Sequence, residues 1–266
     1  MGDVEATRRS RRQSFEEIAE LYDQARPVYP EAVFDDLFEL AGLAAGSRVL
    51  EIGCGTGKAT LSLAARGLEV ACVELGPDLA AIARRRLDAF PMVEIVNAAF
   101  ETWEPKSAEF DAVCAFTAFH WIDPDARYAK PARLLAPDGA LAVVDTQHVL
   151  PSGADEFWVE VQADYDAVVP SDENRPPPHP DEVSDRLPEF EAAGFRSVTV
   201  RRRLWDVTYE PDEYIGVLGT YSGHLALDPG TRRHLFERIH ARIEAVPGGR
   251  VRKTYLATLT VGLRPL

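Results

Sequence analysis

"VLEIGCGTGKAT", Val49 to Thr60, runs from an apolar segment through an acid and three glycines into a helical pattern. A strand that turns on glycines and returns as a helix is where open α/β sheets bind ligands, at the carboxyl end of the strand. A P-loop would need G-x-x-x-x-G-K-[ST]. Here Ile52 stands five before Gly57, and Ala59 follows Lys58, so the pattern fails twice. A dinucleotide fingerprint, G-x-G-x-x-G, wants its third glycine where Lys58 stands. The spacing is instead Gly53, Gly55, Gly57, preceded by Glu51. Glycines let the backbone turn sharply and approach a ligand. A carboxylate just before them disfavours a pyrophosphate and suits a cationic group.

Outward from this turn, strand-like and helix-like segments alternate. "EVACVE" (69–74) reads as a second strand, and Pro77 opens the amphipathic helix "DLAAIARRRLDAF". "VEIVN" (93–97), "FDAVCAF" (110–116) and "ALAVVD", entered through the turn "PDG" (137–139), supply three more strands. "DPDARYAKPARLLA" predicts one helix, capped by Asp123, with Pro124 at its first position and a kink at Pro131. Apolar strands joined by helices predict a parallel sheet covered on both faces. Later, "ADEFWVEVQADYDAVV" and "EVSDRLPEFEAAGF" read as helices, separated by the stiff connector "PSDENRPPPHPDE" (170–182). "SVTVRRRLWDVTY" alternates as a strand, two helical stretches follow, and "RVRKTYLATLTVGL" is a last strand. The predicted fold is α/β, a doubly wound, seven-stranded, mostly parallel sheet with a helical cap.

The predicted organisation is a flexible N-terminus (1–14), then a core with an N-terminal lid helix (15–149). A cap insertion with the Pro-rich connector follows (150–180), then core again (181–209), a helical cap (210–247) and a final core strand (248–266). The chain has 266 residues, 46% of them hydrophobic, enough for a core without staples. Cys54, Cys72 and Cys114 fall in or beside apolar runs without metal-site spacing, so free buried thiols and no metal are expected. A net charge of −14 repels polyphosphate backbones, which argues against a nucleic-acid partner. Of two basic runs, Arg8–Arg12 reads as a solvated terminus, and Arg201–Arg203 alternates between the faces of a strand. No apolar run reaches the length of a membrane span, and no apolar signal segment precedes the core. The expectation is a cytoplasmic protein with no membrane partner and an open oligomeric state.

"VLEIGCGTG", the strand-end acid Glu74 and "LLAPDGALAVV" together resemble the class I S-adenosylmethionine-dependent methyltransferases. The motifs span roughly residues 15–147 in the family's order. "FEEIAELYDQARPVYP" and "FHWIDPD" are similar to the small-molecule branch that includes trans-aconitate methyltransferase-like proteins. The resemblance implies S-adenosylmethionine as methyl donor and S-adenosylhomocysteine as product. It implies that Gly53, Gly55 and Gly57 pack against the donor, with Cys54 in the loop. Glu51 would lie near its aminoacyl end, Glu74 would hold the ribose, and Leu75 would sit beside the adenine. "NAAFE" departs from members that carry an acid for the adenine amine, so Ala99 and Phe100 would pack on the ring while backbone groups make the polar contacts. Phe116, at the end of the fourth strand, joins this set.

Methyl transfer from a sulfonium needs positioning, exclusion of water and, for a hydroxyl or acidic carbon, a base. Tyr22 and Arg26 precede the first strand and would fold back as a lid, with Arg26 able to pair with a carboxylate. His120 either moves a proton at the carboxyl edge or only shapes the pocket, while Trp121 reads as a wedge under the Asp123-capped helix. Tyr221 and His224 share a helix face in the cap and are candidates for substrate contact or catalysis. Trp158, Tyr165 and Trp205 read as core. Two other functions fit the fold: a nicotinamide-dependent oxidoreductase, against which the glycine spacing argues, and a non-catalytic cofactor-binding regulator.

Overall fold

The computed structural model describes residues 18–106, 109–172 and 174–266. The predicted flexible terminus, with Arg8–Arg12, lies outside the described residues. Two helices, α1 (Ala19–Ala25) and α2 (Glu31–Ala41), precede β1 (Arg48–Ile52). Then come α3 (Lys58–Ala65), β2 (Glu69–Glu74), α4 (Pro77–Arg86), β3 (Val93–Asn97) and β4 (Phe110–Phe116). Pro77 at the first position of α4 and the Asp78 carboxylate in its first turn fit the ends of that helix, with Arg84, Arg85 and Arg86 in its last turn. The strands line up in the order β3-β2-β1-β4, all parallel.

The predicted helix 123–136 divides into α5 (Pro124–Arg127) and α6 (Ala129–Leu134). Pro131 has no N–H to give the Arg127 carbonyl, so the chain breaks between them. Asp123 caps α5 as expected, accepting the Asp125 N–H at 2.9 Å. β5 runs from Leu135 to Val149, longer than predicted, because "PDG" is an irregularity inside the strand and not a turn before it. Pairing with β4 jumps from Leu135 to Ala140 there. Gly139 is required, since a Cβ would lie 2.7 Å from the Phe110 carbonyl oxygen.

The second half holds shorter helices than the sequence suggested: α7 (Phe157–Glu160), α8 (Gln162–Val168) and α9 (Leu187–Ala192). The helix expected over 182–195 is confined to α9, its first half being a 3-10 turn and loop that leads into Pro188. Next come β6 (Arg196–Tyr209), α10 (Pro211–Leu218), α11 (Ser222–Leu225), α12 (Pro229–Ala245) and β7 (Val251–Leu263). β7 inserts antiparallel between β5 and β6, which completes the seven-stranded sheet β3-β2-β1-β4-β5-β7-β6.

Alternation within the strands divides the core. Val49, Cys72, Ala112 and Val144 pack under α2 and α3, while Leu50, Val73, Val113 and Val143 pack with Phe119, Leu134 and Phe190 on the other face. The three cysteines are free and buried. Arg203 on β6 makes a two-pronged pair with Asp36 of α2 (2.6 and 2.7 Å), whereas Arg202 turns to the Pro180 and Val183 carbonyls, so the arginine run does divide between faces. A third apolar cluster joins α7, α10 and α12 through Trp158, Val217, Leu218, Leu235, Ile239 and Tyr255. No helix among the described residues is long and apolar enough to cross a membrane.

Candidate functional site

The glycine turn after β1 is held open by an acid from the next strand. Gly53, Gly55 and Gly57 all have positive φ (67°, 57° and 80°), a region other residues enter at a cost. A Cβ on Gly53 would meet the Ala118 Cβ at 2.7 Å, and one on Gly57 would meet Leu87 at 2.9 Å. A Cβ on Gly55 would meet nothing within 4 Å, because Gly55 faces a cavity. Glu74, buried at the end of β2, accepts the Gly55 N–H on one carboxylate oxygen and the Gly76 N–H on the other, both at 2.8 Å. One carboxylate therefore fixes the turn after β1 and the turn after β2.

Two cavities meet at this turn. The smaller, about 500 Å³, is walled by Glu74, Leu75, Ala98, Ala99, Phe100 and Trp121. The larger, about 900 Å³, extends from Glu51 and Cys54 past Arg26 to Tyr165, Tyr221 and His224 of the cap and Lys253 of β7. Tyr22, Gly53, Gly55, Phe116 and Thr117 line both. Thr117 is a β-branched residue at φ 54°, a strained conformation of the kind that collects at functional sites. Its hydroxyl is hydrogen-bonded to Tyr29 at 2.8 Å.

The segment α1 lies over the glycine turn and is tied to it. Lys58 donates to the Arg26 carbonyl, and Arg86 bridges Asp23 (2.7 Å) to the Thr56 carbonyl (2.8 Å). Burial, with Arg86 and Arg26 nearby, pulls Lys58 down to about 8 against the pull of Asp23. Arg26 reaches the cap, donating from Nε to Thr220 Oγ1 at 2.8 Å, with its guanidinium 4.3 Å from the centre of the Tyr221 ring.

Glu51 is 1% exposed and accepts the Thr60 hydroxyl at 2.7 Å. Burial pushes its carboxyl up to about 7, although Thr60 acts the other way. His224 accepts or donates at Nε2 with the Tyr165 hydroxyl (2.9 Å), and burial beside Lys253 pulls it down to about 4.

Several predicted residues converge: Tyr22, Arg26, Glu51, the glycines, Cys54 and Phe116 meet Tyr221 and His224 around the larger cavity or the turn beside it, and Glu74, Leu75, Ala99 and Phe100 line the smaller. His120 lies apart. It is exposed on the 3-10 turn Phe119–Trp121, with its ring 4.7 Å from that of Trp121, and it lines neither cavity. Its neighbour Trp121 takes a wall position in the smaller cavity. Trp158, Tyr165 and Trp205, read as core, are cavity-lining as well as packed.

Sequence reasoning missed Lys253 and His148. Lys253, 2% exposed, donates to the Tyr221 hydroxyl at 2.9 Å. The faces of Trp158, Tyr214, Tyr221 and Tyr255 surround its ammonium at 5.0 to 5.8 Å. Among the described residues no carboxylate pairs with it. The usable signal was the alternation of β7, which puts Lys253 on the side of Val251 and Tyr255. His148 stacks edge-on against Trp158, 4.4 Å between ring centres, and burial holds it far below its ordinary value.

Residues 49–139 match the family model described as a methyltransferase domain. Over 138 residues the chain is 35% identical to an uncharacterized methyltransferase of Mycobacterium tuberculosis, covering 52% of this chain and 54% of that one. Over 133 residues it is 33% identical to a ubiquinone biosynthesis O-methyltransferase of Xanthomonas oryzae pv. oryzae, covering 42% and 56%. The chain thus spans about half the length of these curated relatives. A solved structure from Anaeromyxobacter dehalogenans, described as a type II methyltransferase, is similar with a TM-score of 0.64 at 26% identity, covering 90% of this chain and 98% of that one.

Proposed function

We propose methyl transfer from S-adenosylmethionine to a small-molecule acceptor for this chain, whose residues 49–139 match a methyltransferase domain and whose sheet has the class I Rossmann-like fold. The supporting observation is the pair of cavities that meet at the glycine turn, one sized for a nucleoside and one for an acceptor. The residues present fit the donor. Gly55 leaves room against the backbone, and Glu74 puts a buried strand-end carboxylate, an acceptor group, on the wall of the smaller cavity. Leu75 and Phe100 offer apolar surface to a base, and Glu51 is an acid at the junction with the larger cavity.

The donor supplies a methyl group already activated on a sulfonium, and the protein positions and dehydrates. Tyr22 and Arg26 close one side over the glycine turn, and Phe116 and Thr117 form the partition between the cavities. Glu51 answers a cationic aminoacyl end by ionising.

That last role has a measurable consequence. With its carboxyl at about 7, Glu51 in the free protein is about half protonated at pH 7. A cation bound beside it favours the ionised form, so binding expels a proton, and affinity rises with pH up to and somewhat above 7. Calorimetric titration with S-adenosylhomocysteine in buffers of different ionisation enthalpy should report release of about half a proton at pH 7, absent in Glu51→Gln. The same ligand should raise the melting temperature while NAD does not. Stabilisation by NAD alone would replace methyl transfer with the oxidoreductase reading.

A further inference from the structure

Lys253 is the feature that donor binding leaves unexplained. A buried ammonium without a carboxylate partner is costly, and this one sits in the wall of the larger cavity with, among the described residues, no carboxylate and one hydrogen-bond acceptor, the Tyr221 hydroxyl. A second cation, Arg26, lies over the same phenol ring at 4.3 Å. Two cations on one phenol favour its ionised form, and the aromatic walls exclude the water that would screen them.

We propose that Tyr221, held by Lys253, is the base that takes the proton from a phenolic hydroxyl of the acceptor, an inference that rests on the methyl-transfer reading above. The acceptor class follows from the walls. Tyr29, Phe116, Trp158, Tyr165 and Trp205 line the larger cavity and present ring surface to a flat aromatic guest. A phenol is also the acceptor whose acidity matches a tyrosine base.

The step balances. The acceptor O–H gives its proton to the Tyr221 phenolate oxygen. A lone pair on the acceptor oxygen forms the new O–CH3 bond, and the C–S bond breaks with its electron pair staying on sulfur, which leaves as a neutral thioether. Tyr221 returns its proton to solvent as the products depart, which restores the phenolate beside the Lys253 ammonium.

The neighbours agree with this assignment. Burial raises Tyr221, but Lys253 and Arg26 outweigh it and hold the phenol below its ordinary value. Burial raises the other phenols that face it: Tyr22 on α1, Tyr165 on α8, Tyr214 on α10, Tyr209 on β6 and Tyr255 on β7. His224 on α11 and His148 on β5 are both pulled down, chiefly by burial and then by Lys253, so neither competes as a cation near pH 7. Arg232 on α12 acts on His224 in the same direction.

The test has two readouts on the full chain. In the first, phenolate absorbance is followed against pH for wild type, Tyr221→Phe and Lys253→Met, with S-adenosylhomocysteine binding measured on each sample. One tyrosine of the eight should ionise below the range of free tyrosine. That ionisation should vanish in Tyr221→Phe and move upward in Lys253→Met. Its absence from wild type, or its survival in Tyr221→Phe, overturns the base. Should Lys253→Met fail to fold, Tyr221→Phe, which loses one oxygen, still decides.

In the second, isotope-labelled S-adenosylmethionine is offered with a panel of phenols, amines and carboxylates. Methylation at a phenolic oxygen is expected, with kcat about 100-fold lower in Tyr221→Phe and little change in KM. Methylation of amines or carboxylates alone overturns the acceptor class. Loss of S-adenosylhomocysteine binding in wild type, or binding with no product from any acceptor, overturns the methyl-transfer reading and the base with it. Binding without the low ionisation overturns the base alone.

Discussion

Glu74→Ala should remove measurable S-adenosylhomocysteine binding. The carboxylate holds the backbone of two turns through Gly55 and Gly76, and under the methyl-transfer reading it also receives ribose hydroxyls. Hydrogen bonds to a charged group contribute about 1.5–3 kcal/mol each, so losing two to the ligand costs about 3–6 kcal/mol, roughly 10²–10⁴ in affinity. Alanine also strands the Gly76 N–H in a buried position, a further penalty that Glu74→Gln avoids in part by keeping one oxygen. Calorimetry should therefore rank wild type above Glu74→Gln and that above Glu74→Ala. Equal affinity in all three would refute the ribose assignment.

Asp164→Ala should produce the largest loss of stability, and it should do so from the cap. Asp164 on α8 is 3% exposed and is gripped by two arginines of α12: Arg238 at 2.8 and 3.1 Å, and Arg242 through Nε. Burial works to raise its carboxyl, but Arg242 and Arg238 outweigh that and hold it below the usual aspartate value. Breaking a buried pair from one side costs about 3–5 kcal/mol, and the part-exposed arginines recover some hydration, which leaves about 2–3 kcal/mol. In a domain of this size that lowers the melting temperature by about 4–10 °C. The sign with pH follows from the depressed carboxyl. The contribution is complete above the unfolded value near 4 and disappears as pH falls through the folded one. Wild type and Asp164→Ala should thus converge in stability in acid. A constant gap down to pH 2 would contradict this account.

The glycine turn and Glu74 were legible because they are local. Close backbone approach and a strand-end acid need particular residues at fixed spacing, whatever the rest of the chain does. The strand pattern was legible for a similar reason, since both faces of the parallel sheet are covered. The resemblance to the trans-aconitate branch went further than the relatives named above, none of which carries that activity in its name. Helix lengths in the second half were over-read: apolar periodicity continues through Val161 and through Gly219–Tyr221, where the helices are interrupted. His120 lines neither cavity, and the sequence locates the end of β4 but not how a three-residue turn arranges its side chains. For Lys253 the alternation of β7 showed the side but not the surroundings. Its burial depends on rings from residues 158, 214, 221 and 255, and pairing that joins segments so far apart cannot be read from spacing.

Lys253 belongs to β7, whose later residues Leu259 and Val261 sit in the central core. Three of the four rings around it, those of Trp158, Tyr214 and Tyr221, come from the short helices between Phe157 and Leu225 or the turn that opens the last of them, which the sheet does not constrain in the same way. Natural variation among relatives should therefore be unequal. Substitutions that redirect the acceptor can accumulate in the helices, while the lysine keeps its position because moving it would disturb the register of a thirteen-residue strand. Under the methyl-transfer reading, a lineage could change its acceptor while keeping the cation that holds the Tyr221 phenol.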